Sequence, residues 1–253
     1  MANRSPARRR VRSWAALLAG ATVALAMPVS RGQETQLEPY KARYQVTFRG
    51  LAGGQIENSL TRANLPGHWL YETRAYPSLL GRVAVSPNAR EHGVMQITPT
   101  GVRPLSFDFD DGSDSSHKDV RFKFDWTAGR VRGEAEGVPF DLAVQPGTQD
   151  TASVQAAMIN ELLAGRSPSG FPILTGSKLR EYRYWPEGKA TVTTPFGRFE
   201  TVVWANQRDG STRVTKVWHA PALGYVPVQA IQYRKGKAET QMKLVALERG
   251  DGG

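Results

Sequence analysis

Three residues in the second half of the chain supply the side-chain types of a nucleophilic triad: Asp150, Ser153 and His219. A serine near the start of a helix lies close to backbone N–H groups that can stabilise an oxyanion. The same spacing has a structural explanation, because an aspartate three residues before a serine is typical of helix capping. No Gly-x-Ser-x-Gly elbow surrounds Ser153. Capping is therefore the favoured interpretation, and a hydrolase using these three residues is the alternative.

The acidic turn and the histidines contain the side chains that could bind a metal. The turn lacks the ordered calcium-loop spacing with its distant glutamate, so a solvated hairpin turn explains its acids. No histidine is paired with another histidine or a convincing carboxylate at i+2 or i+4, as local imidazole sites usually are. We therefore predict no metal and no cofactor. The acids are Asp108, Asp110, Asp111, Asp114 and Asp119, and the histidines are His68, His92, His117 and His219.

Three tryptophans on late strands offer a different chemistry. Trp185, Trp204 and Trp218 lie in segments rich in other aromatic residues. Such residues can line the hydrophobic cavity of a curved sheet that carries a lipid-like ligand. Ordinary core packing also explains them, because aromatic residues favour strands with or without a ligand. Both interpretations stay open.

One helix must position Asp150 and Ser153. Val154, Met158 and Leu162 recur at i, i+4 and i+8, which predicts a single apolar stripe facing a core. Thr148 or Asp150 can cap the start of this helix. Gly165 then provides a left-handed residue just past the stripe.

The remaining sequence predicts strands. From Tyr40 onwards, apolar and polar residues alternate in short runs separated by Gly, Pro, Asn and Asp turns. Short connections favour antiparallel neighbours. Pro186-Glu-Gly188 and Gly50–Gly54 are interpreted as two of these turns. The predicted fold class is mainly β, with one strongly curved antiparallel sheet, either a rolled sheet or an open barrel, and one packed α-helix.

The N-terminus has the layout of an export signal. Residues 1–32 contain six arginines and no acid, and an apolar run extends from Trp14 to Val29. Cleavage after Ala26 or after Gly32 satisfies the requirement for small residues. The run is too short for a membrane span. We predict a signal peptide over 1–32, exported by the general secretory route, and a single β-rich domain over 33–253.

Charge and cysteine content narrow the function further. Without the six N-terminal arginines, 27 basic residues face 23 acids, a net charge of about +4. These charges are scattered along the strands, so the phosphate-tracking stripe of a nucleic-acid binder is missing. The chain contains no cysteine, which excludes disulfides, thiolate metal sites and a cysteine nucleophile. Nucleic acid is therefore not an expected partner.

Several short motifs resemble the family of bacterial exported proteins known as domain of unknown function 3108. The motifs are the Pro-Gly-Thr-Gln-Asp-Thr-Ala-Ser run from Pro146 to Ser153, the Thr-Pro-Phe-Gly run from Thr194 to Gly197, Val217-Trp218 and Val226-Pro227-Val228. The likeness covers roughly residues 40–247. It implies an envelope protein with a strongly curved antiparallel sheet and no settled activity. The motif residues that it marks as structural are Asp150, Ser153, Pro195, Gly197, Trp218 and Pro227.

Together these patterns predict a non-catalytic periplasmic or cell-envelope protein. Its curved sheet would bind an apolar or lipid-like ligand or an envelope partner, with Trp185, Trp204 and Trp218 as candidate ligand contacts. No stable membrane span is expected after processing. The alternative function is the hydrolase using Ser153, His219 and Asp150.

Overall fold

A computed structural model describes residues 36–83, 85–98, 100–113 and 118–250. Within these ranges, fifteen strands form one sheet and one α-helix accompanies it. The first eight strands are β1 (Tyr40–Phe48), β2 (Leu51–Arg62), β3 (His68–Pro77), β4 (Arg90–Thr98), β5 (Gly101–Asp110), β6 (Val120–Asp125), β7 (Arg130–Ala135) and β8 (Val138–Ala143). The other seven are β9 (Gln149–Asp150), β10 (Gly170–Thr175), β11 (Lys178–Thr194), β12 (Gly197–Arg208), β13 (Arg213–His219), β14 (Pro227–Arg234) and β15 (Lys237–Arg249). The helix is α1 (Ser153–Leu163), and short 3₁₀ turns occupy Gly81–Val83 and Pro221–Leu223.

The sheet consists of two meanders that meet at its centre. Its strand order is β8-β7-β6-β5-β4-β3-β2-β1-β15-β14-β13-β12-β11-β10-β9. The chain therefore starts in the middle, runs out to the β8 edge, passes to the β9 edge and returns to the middle. The two meanders join where β1 pairs with β15, from Tyr40 opposite Arg249 to Phe48 opposite Thr240. Among the described strands, β9 and β10 form the one parallel pair.

The short connection between β8 and β9 forces this sheet to roll up. In a flat sheet, strands spaced about 4.8 Å apart would place β8 and β9 about 67 Å from each other. The six steps from Ala143 to Gln149 can span only about 20 Å. The observed packing satisfies this limit, because Gln149 Nε2 donates a hydrogen bond to the Val102 carbonyl of β5 at 2.9 Å. The β9 edge thus meets β5 without pairing to β8, and the sheet is rolled but not closed into a barrel.

Helix α1 lies inside the roll. Val154, Met158 and Leu162 are all buried, as the apolar stripe predicts. The helix ends at Leu163. Just beyond it, Gly165 has a φ of 67°, and the Arg166 N–H donates to the Glu161 carbonyl at 2.8 Å. Such a left-handed residue satisfies carbonyls at a helix C-terminus. In the described part of the chain, no helix is long and apolar enough to cross a membrane.

The predicted mainly β fold with a strongly curved antiparallel sheet and one packed helix is confirmed. Two local predictions were wrong. Pro186-Glu-Gly188 does not turn the chain but forms an irregularity within the continuous strand β11, where the register shifts against β12. Residues Gly50–Gly54 are not all turn, because β2 already begins at Leu51. The short strands β9 and β10 were not predicted.

Candidate functional site

The segment before α1 is fixed by hydrogen bonds between Asp150 and the first helical turn. Asp150 Oδ1 accepts from the backbone N–H groups of Ala152 at 3.0 Å and Ser153 at 2.7 Å. In return, Ser153 Oγ accepts from the Asp150 N–H at 2.9 Å. Asp150 and Ser153 are both completely buried. This reciprocal arrangement satisfies N–H groups that a helix start leaves without partners.

His219 is engaged elsewhere. Its Nδ1 lies 2.9 Å from the Tyr225 carbonyl, which can only accept, so Nδ1 carries the proton. Burial lowers the pKa of His219 to about 4, and the ring is neutral at physiological pH. Neither Ser153 nor His219 has the other as a hydrogen-bond partner. The three residues of the alternative triad are therefore not joined as a hydrolase requires.

A cavity of about 370 Å³ lies between α1 and the inner face of the sheet. Both meanders and the helix contribute to its walls. Its apolar lining is Ile56, Val154, Met158, Ile159, Ile173, Trp204, Val217, Pro227, Ala230 and Met242. Its polar lining, with the tyrosines included, is Tyr40, Tyr44, Asn58, Tyr71, Thr73, Glu91, Thr151, Gln155, Tyr182, Tyr184, Asn206, Thr215 and His219. Ser153 is not part of this wall, whereas His219 is.

The structure separates the three tryptophans. Trp204 is buried and lines the cavity beside Met158. Trp218 pairs with Val203 and Trp185 pairs with Ala205, the two neighbours of Trp204 along β12. Because successive strand residues point to opposite faces, Trp185 and Trp218 lie on the other side of the sheet. The Trp185 indole N–H donates to Glu187 there at 3.0 Å. Only Trp204 of the three reaches the cavity.

A polar row crosses three strands on the cavity wall. Asn58 of β2 is opposite Thr73 of β3, and Thr73 is opposite Glu91 of β4. The Thr151 hydroxyl, just before α1, donates to Glu91 Oε2 at 3.1 Å. Burial, reinforced by the nearby Asp150 carboxyl, raises the pKa of Glu91 to about 7. Burial also raises the pKa of Asp150, to about 6, so two acids of elevated pKa flank Thr151.

Sequence reasoning missed Glu91, because the inner face of β4 is marked by burial that only the structure shows. Glu91, Gly93 and Met95 alternate along β4 with residues of the opposite face, and both Gly93 and Met95 are buried. An acid in register with buried positions faces the interior by the same parity. The structure therefore places Glu91 on the inner wall.

The remaining motif residues have structural surroundings. Pro195 and Gly197 belong to the turn between β11 and β12, where Thr194 Oγ1 accepts from the N–H groups of Phe196 at 3.2 Å and Gly197 at 3.3 Å. The Pro227 carbonyl accepts from the Tyr44 hydroxyl at 2.9 Å and so ties β14 to β1. The Thr194 hydrogen bonds hold the turn between β11 and β12, and the Tyr44 hydrogen bond holds β14 to β1.

In the acidic turn, one carboxylate oxygen from each of Asp110, Asp111 and Asp119 lies within 4.8 Å of the other two. Their carboxylates already accept backbone hydrogen bonds from Gly112 at 2.7 Å and Asp111 at 3.2 Å, as a capped turn requires. His68 Nδ1 bonds the Pro66 carbonyl at 3.0 Å, and His92 is exposed on β4. Asp114 and His117 lie outside the described residues.

These features define a class of protein: a rolled, open antiparallel sheet that encloses one helix and a cavity. The chain belongs to the family of proteins of unknown function DUF3108, whose model matches residues 43–243. The resemblance predicted from the motifs is thereby confirmed. No curated protein compared with this chain matches it.

A solved structure supports the fold. The chain is similar to a β-barrel-like protein of domain of unknown function DUF1849 from Brucella abortus, at 15% identity, over 85% of this chain and 99% of that one, with a TM-score of 0.52. It also matches the complex of MucA and MucB from Pseudomonas aeruginosa at 12% identity, over 85% of this chain and 53% of that chain, with a TM-score of 0.30. The second value supports no inference about this chain.

Proposed function

We propose that this protein is a non-catalytic protein of the bacterial envelope that binds an apolar or lipid-like ligand inside its rolled sheet. The observation that carries the proposal is the cavity of about 370 Å³ between α1 and both meanders. A cavity of this size falls in the range used for small ligands, which are held mainly by apolar and aromatic side chains with a few polar groups. Met158, Trp204 and Met242 supply such apolar walls.

The proposed location is the periplasm, reached by the general secretory route. Its support is the arginine-rich start followed by an apolar run within residues 1–32. Those residues lie outside the described part of the structure. Fractionation of cells tests this location, and recovery of the full-length chain in the cytosol would contradict it.

The hydrolase alternative has no comparable support. Ser153 Oγ is buried against the Asp150 N–H, and the proton-carrying nitrogen of His219 faces a carbonyl. A nucleophile needs its base within hydrogen-bond reach beside an open cleft. No observation in the described residues supplies that arrangement.

Ligand binding is tested with the processed protein purified from its native host. Mass spectrometry of an organic extract should reveal a bound apolar molecule, and the neutral dye N-phenyl-1-naphthylamine should show saturable fluorescence once that molecule is removed. The variant Ala230→Trp places a large side chain on the cavity wall and should weaken dye binding by at least about tenfold.

The matched control is Ala238→Trp, which makes the same change at an exposed position of β15. It should leave dye binding within about twofold of the wild type, because an exposed substitution does not alter the cavity. Absence of both a bound molecule and saturable dye binding would overturn the proposed function. Equal loss in the two folded variants would place the dye outside the cavity.

A further inference from the structure

The cavity wall has an uneven charge composition. Among the described residues that line the cavity, Glu91 is the one carboxylate, and no lysine or arginine accompanies it. His219 adds no positive charge, because its buried ring is neutral. Every other lining residue in the described ranges is uncharged. A ligand carrying a negative group would therefore enter a space that offers it no cation.

Two side-chain oxygens of the polar row can accept hydrogen bonds from a ligand. Asn58 Oδ1 is buried without a hydrogen-bond partner. Glu91 receives one hydrogen bond, at Oε2 from Thr151, and Oε1 receives none from the described residues. Leaving a buried acceptor unpaired costs about 1–3 kcal/mol. A ligand group that donates hydrogen bonds would remove this cost at Asn58.

Apolar side chains form another part of the cavity wall. Met158 and Trp204 pack together, and Met242 of β15 continues the surface. The polar row belongs to β2, β3 and β4, whereas Trp204 and Met242 belong to β12 and β15 in the other meander. A ligand in the cavity would therefore meet both hydrogen-bond acceptors and hydrocarbon.

We propose that the cavity selects amphiphiles whose head group is uncharged or cationic and donates hydrogen bonds to Glu91 and Asn58, and that it rejects anionic head groups. This inference rests on the proposed ligand-binding function and specifies its ligand class. A carboxylate or phosphate head would be desolvated beside Glu91 without a counter-charge, which is strongly unfavourable. An alcohol or ammonium head instead donates to the two acceptors.

The test compares three ligands of equal chain length by displacement of N-phenyl-1-naphthylamine from the processed protein. Decan-1-ol, decylamine and decanoate are titrated at pH 8, below the concentrations at which they aggregate. At this pH Glu91, with a pKa of about 7, is mostly ionised. The alcohol and the amine should compete at concentrations at least about tenfold lower than decanoate.

Variants identify the residues responsible. Glu91→Gln should weaken decylamine by about tenfold and leave decan-1-ol within about twofold, since glutamine accepts a hydrogen bond but carries no charge. Asn58→Asp should weaken decanoate further while strengthening decylamine. The matched control is Glu72→Gln on β3, which faces the other side of the sheet because Glu72 and Thr73 are adjacent. This control should leave the order of the three ligands unchanged.

Decanoate competing as well as the other two ligands would overturn the inference and leave ligand binding intact. An unchanged ranking in both Glu91→Gln and Asn58→Asp would also overturn it. Absence of any saturable dye binding would instead overturn the proposed function itself, together with this inference.

Discussion

Gly93 of β4 and Ala152 at the start of α1 are in such close contact that a side chain at position 93 has no room. A Cβ built on Gly93 would lie 2.8 Å from the Ala152 Cβ and 3.6 Å from Asp150 Oδ1. Real Cβ atoms do not approach this closely, so the helix start would have to shift. The absent side chain is what allows α1 to reach the inner wall of the sheet.

Gly93→Ala should therefore destabilise the protein by about 1–3 kcal/mol, the usual effect of overpacking. The double variant Gly93→Ala with Ala152→Gly removes the clashing methyl from the other partner and should recover most of the loss. Glycine is tolerated at a helix N-cap, so Ala152→Gly alone should cost little. Denaturant unfolding of the three variants measures the coupling. Additive effects of the two substitutions would contradict the proposed contact.

Asp150 should contribute to folding through its acceptor oxygen. Asp150→Ala removes the acceptor that Ala152 and Ser153 use and should cost about 1–2 kcal/mol. Asp150→Asn keeps an acceptor and should melt close to the wild type, the more so because burial favours the uncharged form of this carboxyl by raising its pKa to about 6. Thermal melting decides between these outcomes. Unchanged melting of Asp150→Ala would show that the hydrogen bonds are dispensable.

The helix was predictable because its evidence is local. Val154, Met158 and Leu162 repeat with helical period, and Gly165 marks the end. The two-residue strand β9 was not predictable, since it is too short to show any period and depends on a parallel partner, β10, beyond the helix. The path of β11 through Pro186 was missed for a similar reason. A proline between two strand patterns looks like a turn, and only the partner strand β12 shows that pairing continues past it.

Stability should depend on pH through Glu91. Its pKa is about 7 in the folded protein, against an ordinary value of 4.5. Between these two pH values the folded state therefore binds more protons than the unfolded state. The contribution of Glu91 therefore favours folding less as pH rises from 4.5 to 7, and levels off above that. Glu91→Gln removes this dependence and should be more stable than the wild type by about 1–3 kcal/mol at pH 8.

Urea unfolding of both proteins at pH 5 and pH 8 measures this difference. His219, with its pKa lowered to about 4, produces the opposite slope between pH 4 and 6.5. Because His219 and Asp150 are present in both proteins, their effects largely cancel in the comparison. A stability difference that does not grow with pH would contradict the assigned burial of Glu91.

Met158 should stabilise the protein through packing against Leu162 and Trp204. Met158→Ala should lower the free energy of unfolding by about 2–5 kcal/mol, as truncation of a buried side chain does. Gln155→Ala changes an exposed residue of the same helix and should stay within about 0.5 kcal/mol of the wild type. Denaturant unfolding compares the two. A loss for Met158→Ala as small as the control's would show that the stripe contributes no packing.

The candidate site was only partly predictable. Trp204, Trp185 and Trp218 look alike in the sequence, and which face each occupies depends on the register between strands. That register cannot be obtained from spacing along one chain, because a shift by one residue exchanges the two faces. The row of Asn58, Thr73 and Glu91 likewise exists only across strands, and no segment contains more than one of its members.

The seam between β1 and β15 has a consequence for how the chain folds. Antiparallel pairings elsewhere in the sheet join strands that are consecutive along the chain, so each needs only a short loop to close. The seam instead joins residues about two hundred positions apart, such as Tyr40 and Arg249. Topologies dominated by local contacts form quickly, whereas distant contacts are slow. We therefore expect each meander to assemble from its own hairpins, and the pairing of β1 with β15 to be the late and rate-limiting step.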